Sequence, residues 1–82
     1  MLNSPFMKSL PCNQRRLFFN LHYCDEKTLF GITIHNVLKS NNLSQWNDLI
    51  ALLKEQSDQG GSANEEVIKA IGIDCYNILK TI

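Results

Sequence analysis

The chain has 82 residues, with eight basic and eight acidic side chains, three cysteines and a hydrophobic fraction of 44%. A chain of this length forms one domain and buries about 63% of its unfolded surface, which leaves little room for a deep substrate pocket. This size excludes a multidomain enzyme and a solenoid array. We therefore treat residues 1–82 as a single small domain.

No segment of the sequence predicts a membrane span or a secretory signal. The longest run without a charged side chain covers residues 28–38, well short of the roughly 20 residues that a span needs. The N-terminal residues lack a basic cluster followed by an apolar run. Three widely spaced cysteines do not make a disulfide framework, and these features together predict a cytoplasmic protein in a reducing compartment.

The net charge of zero hides an uneven distribution along the chain. Residues 1–40 carry five basic and two acidic side chains, whereas residues 41–82 carry three basic and six acidic side chains. One interpretation is chance on a small chain. The other is a dipolar molecule that docks head to tail or onto a charged partner.

The first half of the chain predicts an irregular arm followed by a β-hairpin. Residues 1–14 are rich in proline, serine and asparagine and predict the arm. Residues 17–35 then alternate apolar and polar positions on both sides of a polar turn at 25–28, which predicts a hairpin. The apolar positions are Leu17, Phe19, Leu21 and Tyr23 before the turn, and Phe30, Ile32 and Ile34 after it. A helix over 29–38 is the alternative.

The second half of the chain predicts two helices. Residues 44–57 place apolar side chains at helical spacing after Ser44, which can cap the helix. Residues 63–81 follow a capping box formed by Ser62 and Glu65, and their apolar side chains fall in one arc of a continuous helix that runs past Gly72. With the hairpin, these helices give a small α+β domain. The alternative is an all-α bundle of three or four helices.

Residues 64–82 resemble the helix-turn-helix of DNA-binding regulators, with Ile71-Gly72-Ile73 in the position of the turn. The resemblance covers about a quarter of the chain and requires a sharp bend at Gly72. It departs from the usual pattern at Ile68, where a small residue is common. Few basic residues follow the turn, although phosphate contacts need them. The implied DNA-binding residues are Lys69, Tyr76, Asn77 and Lys80. A small DNA-binding transcriptional regulator is therefore the alternative function.

The sequence offers no catalytic or metal-binding constellation. The cysteines and histidines lack the spacing of zinc ligands, and no nucleophile elbow or phosphate loop is present. In the hairpin interpretation His22 and His35 lie on the solvated face, and Cys75 belongs to the core arc of the last helix. We therefore expect a non-enzymatic protein without a metal or cofactor.

Surface apolar side chains indicate a protein partner. On a continuous last helix Ile73 and Tyr76 lie outside the core arc, and the hairpin points Phe18 outward near Arg16. These four residues form the predicted partner-binding patch, because tyrosine and arginine are frequent hot-spot residues. The favoured function is a protein-binding or regulatory protein that acts as a homodimer. A composition rich in Asn, Ile and Lys also fits an accessory protein of a phage or mobile element.

Overall fold

The computed structural model describes residues 5–82, and every regular element in that range is an α-helix. The helices are α1 (Pro5–Ser9), α2 (Cys12–Leu21), α3 (Leu29–Ser40), α4 (Leu43–Asp58) and α5 (Gly61–Leu79). The predicted α+β fold with its hairpin over 17–35 is wrong. The all-α alternative gives the correct class, with five helices in the described range rather than three or four.

The arm predicted over residues 1–14 contains regular structure where it is described. Residues 5–9 form α1, and α2 already begins at Cys12. Residues 1–4 lie outside the described residues. Phe6 packs its ring against Phe18 and Trp46, with ring centroids 5.5 and 6.4 Å apart. This short helix therefore covers the aromatic side of the core.

α2 replaces the first predicted strand because its buried side chains follow a helical spacing. Leu17, Phe18 and Leu21 lie at i, i+1 and i+4 and are all buried. The Phe18 ring packs 5.5 Å from the Trp46 ring, centroid to centroid. The prediction that Phe18 points outward is therefore wrong, since on a helix it shares the inward face with its two leucine neighbours.

α3 replaces the second predicted strand for the same reason. Its buried residues are Gly31, Ile34, His35 and Leu38, at i, i+3, i+4 and i+7. The predicted alternation placed Ile32 on the same face as Ile34, yet Ile32 is 48% exposed. Thr28 caps the helix, and its Oγ1 accepts the N–H of Gly31 at 2.9 Å. Burial of the helical face outweighs the β preference of the run 32–34.

α4 lies within one residue of the predicted helix over 44–57. Its buried residues are Trp46, Leu49, Ile50, Leu53 and Ser57. The cap is Asn42 rather than Ser44, because the Asn42 Oδ1 accepts the N–H of Gln45 at 3.0 Å. Trp46 is fully buried, and its Nε1 donates to the Gln14 Oε1 at 3.1 Å. Burial of such a side chain stabilises the fold by about 1.5–3 kcal/mol.

α5 is broken at Gly72, so the predicted continuous helix over 63–81 is wrong. Gly72 has φ 85° and ψ 160°, and it separates the helical residues 61–71 from the helical residues 73–79. That backbone conformation is essentially reserved for glycine. The N-terminus also differs from the prediction, because Gly60 stands at the cap position and no side chain caps the helix there.

The break turns Tyr76 toward the core. Tyr76 is 7% exposed, and its hydroxyl accepts a hydrogen bond from the Asn64 Nδ2 at 2.8 Å. The same amide donates to the Ser57 carbonyl oxygen at 2.8 Å. One asparagine therefore joins the end of α4 to both parts of α5. The prediction that Tyr76 is a surface residue fails because it assumed a straight helix.

The core lies between α5 and the helices on either side of it. α5 packs on both α2 and α4, and α3 packs against α4. The buried cluster includes Met7 from α1 and aliphatic side chains from every later helix. Because α2 and the end of α5 are neighbours, their exposed edges define a shared surface.

Candidate binding groove between α2 and the end of α5

A polar groove of about 460 Å³ runs between α2 and the last residues of α5. Its lining residues are Arg16 and Asn20 from α2, and Asp74, Asn77, Ile78 and Thr81 from the other side. Arg16 and Asn20 are one turn apart on α2. Asp74 and Asn77 lie one turn apart near the end of α5, and Thr81 follows in the turn after that helix.

The groove continues into a second hollow of about 360 Å³ beside the break in α5. The hollow is lined by Asn20, Tyr23, Ile71, Gly72, Ile73, Asp74 and Cys75. Asn20 and Asp74 line both spaces, so the two adjoin each other. Tyr23 is 89% exposed and Ile73 is 55% exposed. We call the combined surface the binding groove, with a polar end near Asn77 and an apolar end at Tyr23 and Ile73.

The polar side chains of the binding groove are largely free to bind. Within residues 5–82, neither Arg16 nor Asp74 forms a salt bridge, and the Asn77 side chain makes no hydrogen bond. The Asn20 Nδ2 donates to the Arg16 carbonyl oxygen at 2.8 Å, which leaves the Asn20 Oδ1 available. The groove thus presents a cation on one wall and an anion on the other.

The structure divides the predicted partner-binding patch. Arg16 and Ile73 are exposed and line the binding groove, whereas Phe18 and Tyr76 are buried. The sequence interpretation missed Asn20, Tyr23 and Asp74. Asn20 and Tyr23 share one helix edge with Arg16, and this spacing was the available signal. Assigning a strand to the segment places these residues differently, so the shared edge was not recognised.

The residues of the DNA-binding alternative do not form one surface with a common charge. Asn77 lines the binding groove, Tyr76 is buried, and Lys69 precedes the break. The Lys80 Nζ lies 4.8 Å from the centre of the Tyr76 ring. The nearby Lys80 ammonium and the hydrogen bond from Asn64 lower the pKa of Tyr76 below its usual value. Lys80 therefore has an intramolecular partner.

A cluster of Cys24, His35 and Glu26 has the residue types of a catalytic triad. The His35 Nε2 lies 3.4 Å from the Cys24 Sγ, and the His35 Nδ1 lies 3.2 Å from the Glu26 Oε1. However, the Nε2 also lies 3.0 Å from the Cys24 carbonyl oxygen. Because a carbonyl oxygen can only accept a hydrogen bond, the Nε2 must be the donor. It then has no lone pair to take the thiol proton.

The pKa of Cys24 also argues against a catalytic triad. Burial raises the pKa of this thiol above its usual value, which keeps it protonated. None of the described hollows is lined by Cys24. The cluster therefore fastens the loop over residues 22–28 to α3. The prediction that His35 is solvated is wrong, because α3 turns this side chain inward.

The three cysteines differ in access and acidity, which predicts an order of modification. Cys12 is exposed, Cys24 is half-buried and Cys75 is buried. Burial raises the pKa of Cys75 to about 11, so little thiolate is present at neutral pH. We expect a thiol reagent at pH 8 to label Cys12 first, Cys24 more slowly and Cys75 only on unfolding.

Mass spectrometry of peptides after timed labelling measures this order. A Cys12→Ser variant should lose the fast phase alone. Rapid labelling of Cys75 in the folded protein would contradict the buried position of that residue.

Residues 5–82 contain neither a metal-binding cluster nor a membrane-spanning helix. No group of three or more histidine, cysteine or acidic side chains is placed to hold a metal ion in that range. Among the described helices, none combines the length and apolar character that crossing a membrane requires. The chain matches no protein-family model, no curated protein and no solved structure.

Proposed function

We propose that this protein is a non-enzymatic, regulatory protein-binding module whose binding groove accepts a segment of a partner protein. The single observation that carries the proposal is the pair of adjoining hollows between α2 and the end of α5. Its free polar side chains and its exposed apolar end lie on one surface.

The chemistry of the groove suits a polypeptide. Asn20 and Asn77 each offer amide donors and acceptors that match peptide N–H and C=O groups. Arg16 and Asp74 stand on opposite walls and can each meet a side chain of opposite charge. Tyr23 and Ile73 provide apolar area for an anchoring side chain at the other end.

Shape and charge favour a protein segment over DNA. The bend at Gly72 meets one requirement of a helix-turn-helix. However, the outer edge of residues 73–79 is one wall of a groove whose other wall is α2, so α2 lies beside the segment that would have to enter the DNA groove. Major-groove readers insert a projecting helix into a groove that is about 12 Å wide and about 8.5 Å deep. Asp74 on this edge would also repel phosphates.

A reducing compartment fits the proposal. Cys12, Cys24 and Cys75 are all free thiols, and free thiols persist in the cytoplasm. A cytoplasmic location is therefore the one we propose for the binding module and its partner.

Two variants of the binding groove test the proposal. We expect Ile73→Asp and Arg16→Glu each to weaken binding of the natural partner at least about tenfold, which corresponds to about 1.4 kcal/mol. Both side chains are exposed. For Ile73→Asp, an acidic residue is also favourable at the start of the helical residues 73–79. Neither change should therefore alter the circular dichroism spectrum. Affinity capture followed by calorimetry on the purified pair gives the measurement.

The matched control is Lys69→Gln, an exposed change on α5 that lies outside the groove. It should leave partner affinity within about twofold. A partner that binds the groove variants as well as the unaltered protein would overturn the proposal. Salt-sensitive DNA binding that is lost in Lys80→Glu would overturn it in favour of the DNA-binding alternative.

A further inference from the structure

A second, apolar groove lies between α3 and α4. One hollow of about 220 Å³ is lined by Leu29, Phe30, Thr33 and Leu52. A neighbouring hollow of about 210 Å³ is lined by Thr33, Val37, Gln45, Asp48, Leu49 and Leu52. Thr33 and Leu52 line both, so the hollows adjoin each other, and we call them together the acceptor groove. Leu29 is 81% exposed, and a contiguous apolar surface of this kind marks an interaction site.

Of the two helices that bound the acceptor groove, α4 is acidic on its exposed side. The exposed charged residues of α4 are Asp48, Glu55 and Asp58. The single basic residue of α4, Lys54, is half-buried, and its Nζ donates to the Ile82 carbonyl oxygen at 2.8 Å. An occupant of the acceptor groove should therefore combine apolar side chains with positive charge.

α2 presents that combination on its exposed edge. Arg15, Phe19 and Tyr23 follow one another at i, i+4 and i+8, with Tyr23 in the turn after the helix. Phe19 is 41% exposed and Tyr23 is the most exposed aromatic residue. The charged residues of α2 are Arg15 and Arg16, both basic and both exposed. We call Arg15, Phe19 and Tyr23 the α2 ridge.

We propose that the α2 ridge of one copy docks in the acceptor groove of a second copy. Phe19 and Tyr23 would fill the apolar hollows lined by Leu29 and Leu52, and Arg15 would face the acidic side of α4. The two surfaces differ, so the contact is heterologous. Each docked pair then leaves one free ridge and one free groove, and association extends as a chain or closes as a ring.

The expected affinity is modest. A standard interface buries about 800 Å² per partner, about a sixth of the 5021 Å² surface of this chain. A single helix edge in a groove covers less. We therefore expect a dissociation constant on the order of 10–100 µM that rises with salt concentration, because the contact pairs opposite charges.

Two blocked variants test this assembly. The ridge variant carries Arg15→Glu and Phe19→Ser, and the groove variant carries Asp48→Lys and Leu52→Ser. All four side chains are exposed, so both variants should keep the helical circular dichroism spectrum. In sedimentation velocity from about 10 µM to about 1 mM, the unaltered protein should associate with rising concentration. Each variant alone should stay monomeric, with its dissociation constant at least about tenfold higher.

The decisive measurement is an equimolar mixture of the two variants. The intact ridge of the groove variant should enter the intact groove of the ridge variant. A dimer should therefore form, and nothing larger. A Glu65→Gln control on α5 should associate like the unaltered protein.

Three outcomes would overturn the proposal. The first is an unaltered protein that stays monomeric at every concentration. The second is association that persists in both variants. The third is a mixture that stays monomeric although each variant abolishes association, which indicates a symmetric contact or a different partner for these faces. The four substituted positions do not line the binding groove. Because Tyr23 belongs to both surfaces, self-association is measured on the purified chain with no partner present.

Discussion

Replacing Gly31 with alanine is expected to lower the free energy of unfolding by about 2 kcal/mol or more. The sign is unusual, because glycine to alanine inside a helix normally stabilises it by about 0.5–1 kcal/mol. An ideal Cβ at Gly31 would overlap the Asp25 carbonyl oxygen and lie 2.8 Å from the Asp25 carbonyl carbon. Both are backbone atoms, so the loop over residues 22–28 must move.

Displacement of that loop also breaks the hydrogen bond from the His35 Nε2 to the Cys24 carbonyl oxygen. Denaturant unfolding followed by circular dichroism measures the loss. Thr33→Ala is the matched control, since Thr33 is exposed on the same helix and should change stability by less than about 0.5 kcal/mol. A Gly31→Ala variant as stable as the unaltered protein would show that the loop does not lie on α3.

Replacing Gly72 with L-alanine is expected to cost about 1–3 kcal/mol of stability. An added Cβ would meet nothing within 4 Å, so the cost arises from the backbone and not from crowding. Gly72 has φ 85° and ψ 160°, which an L-residue adopts only with strain. If the strain is relieved by straightening α5, Tyr76 leaves the core and its hydrogen bond to Asn64 is lost.

Chemical synthesis supplies a matched control for Gly72, because D-alanine favours positive φ. The mirror image of the Gly72 conformation, φ −85° and ψ −160°, borders the β region that L-residues adopt. The D-alanine protein should therefore be at least as stable as the unaltered one, while the L-alanine protein melts at a lower temperature. Equal melting temperatures for the two epimers would contradict the break in α5.

The accuracy of prediction from sequence varied with how well local signals and packing agreed. In α4 they agree, because Trp46, Leu49 and Leu53 recur at helical spacing and are all buried. In α3 they conflict. The run Ile32-Thr33-Ile34 favours a strand, and the helical face becomes visible only when Gly31 and His35 are counted as buried. Both are buried by a loop that precedes the helix, which is tertiary information.

The candidate site was predicted only in part for a related reason. The sequence predicts surface positions for Arg16, Ile73 and Asn77. It does not show the groove that these three residues line. Phe18 and Tyr76 were misplaced because each depends on the course of the backbone, α2 in one case and the break at Gly72 in the other. The sequence does not tell whether a helix continues through a glycine or breaks at it. At Gly72 only the packing of Tyr76 distinguishes the two cases.

The binding groove joins opposite ends of the chain, since Arg16 and Asn77 lie about sixty residues apart. A molecule in which α5 has separated from α2 has no groove at all. A ligand of the groove therefore recognises only the completed fold, and at a hundredfold excess over its dissociation constant it adds about 2.7 kcal/mol of stability. Thermal melting consequently reports occupancy, so peptides can be ranked by the rise in melting temperature that each one produces.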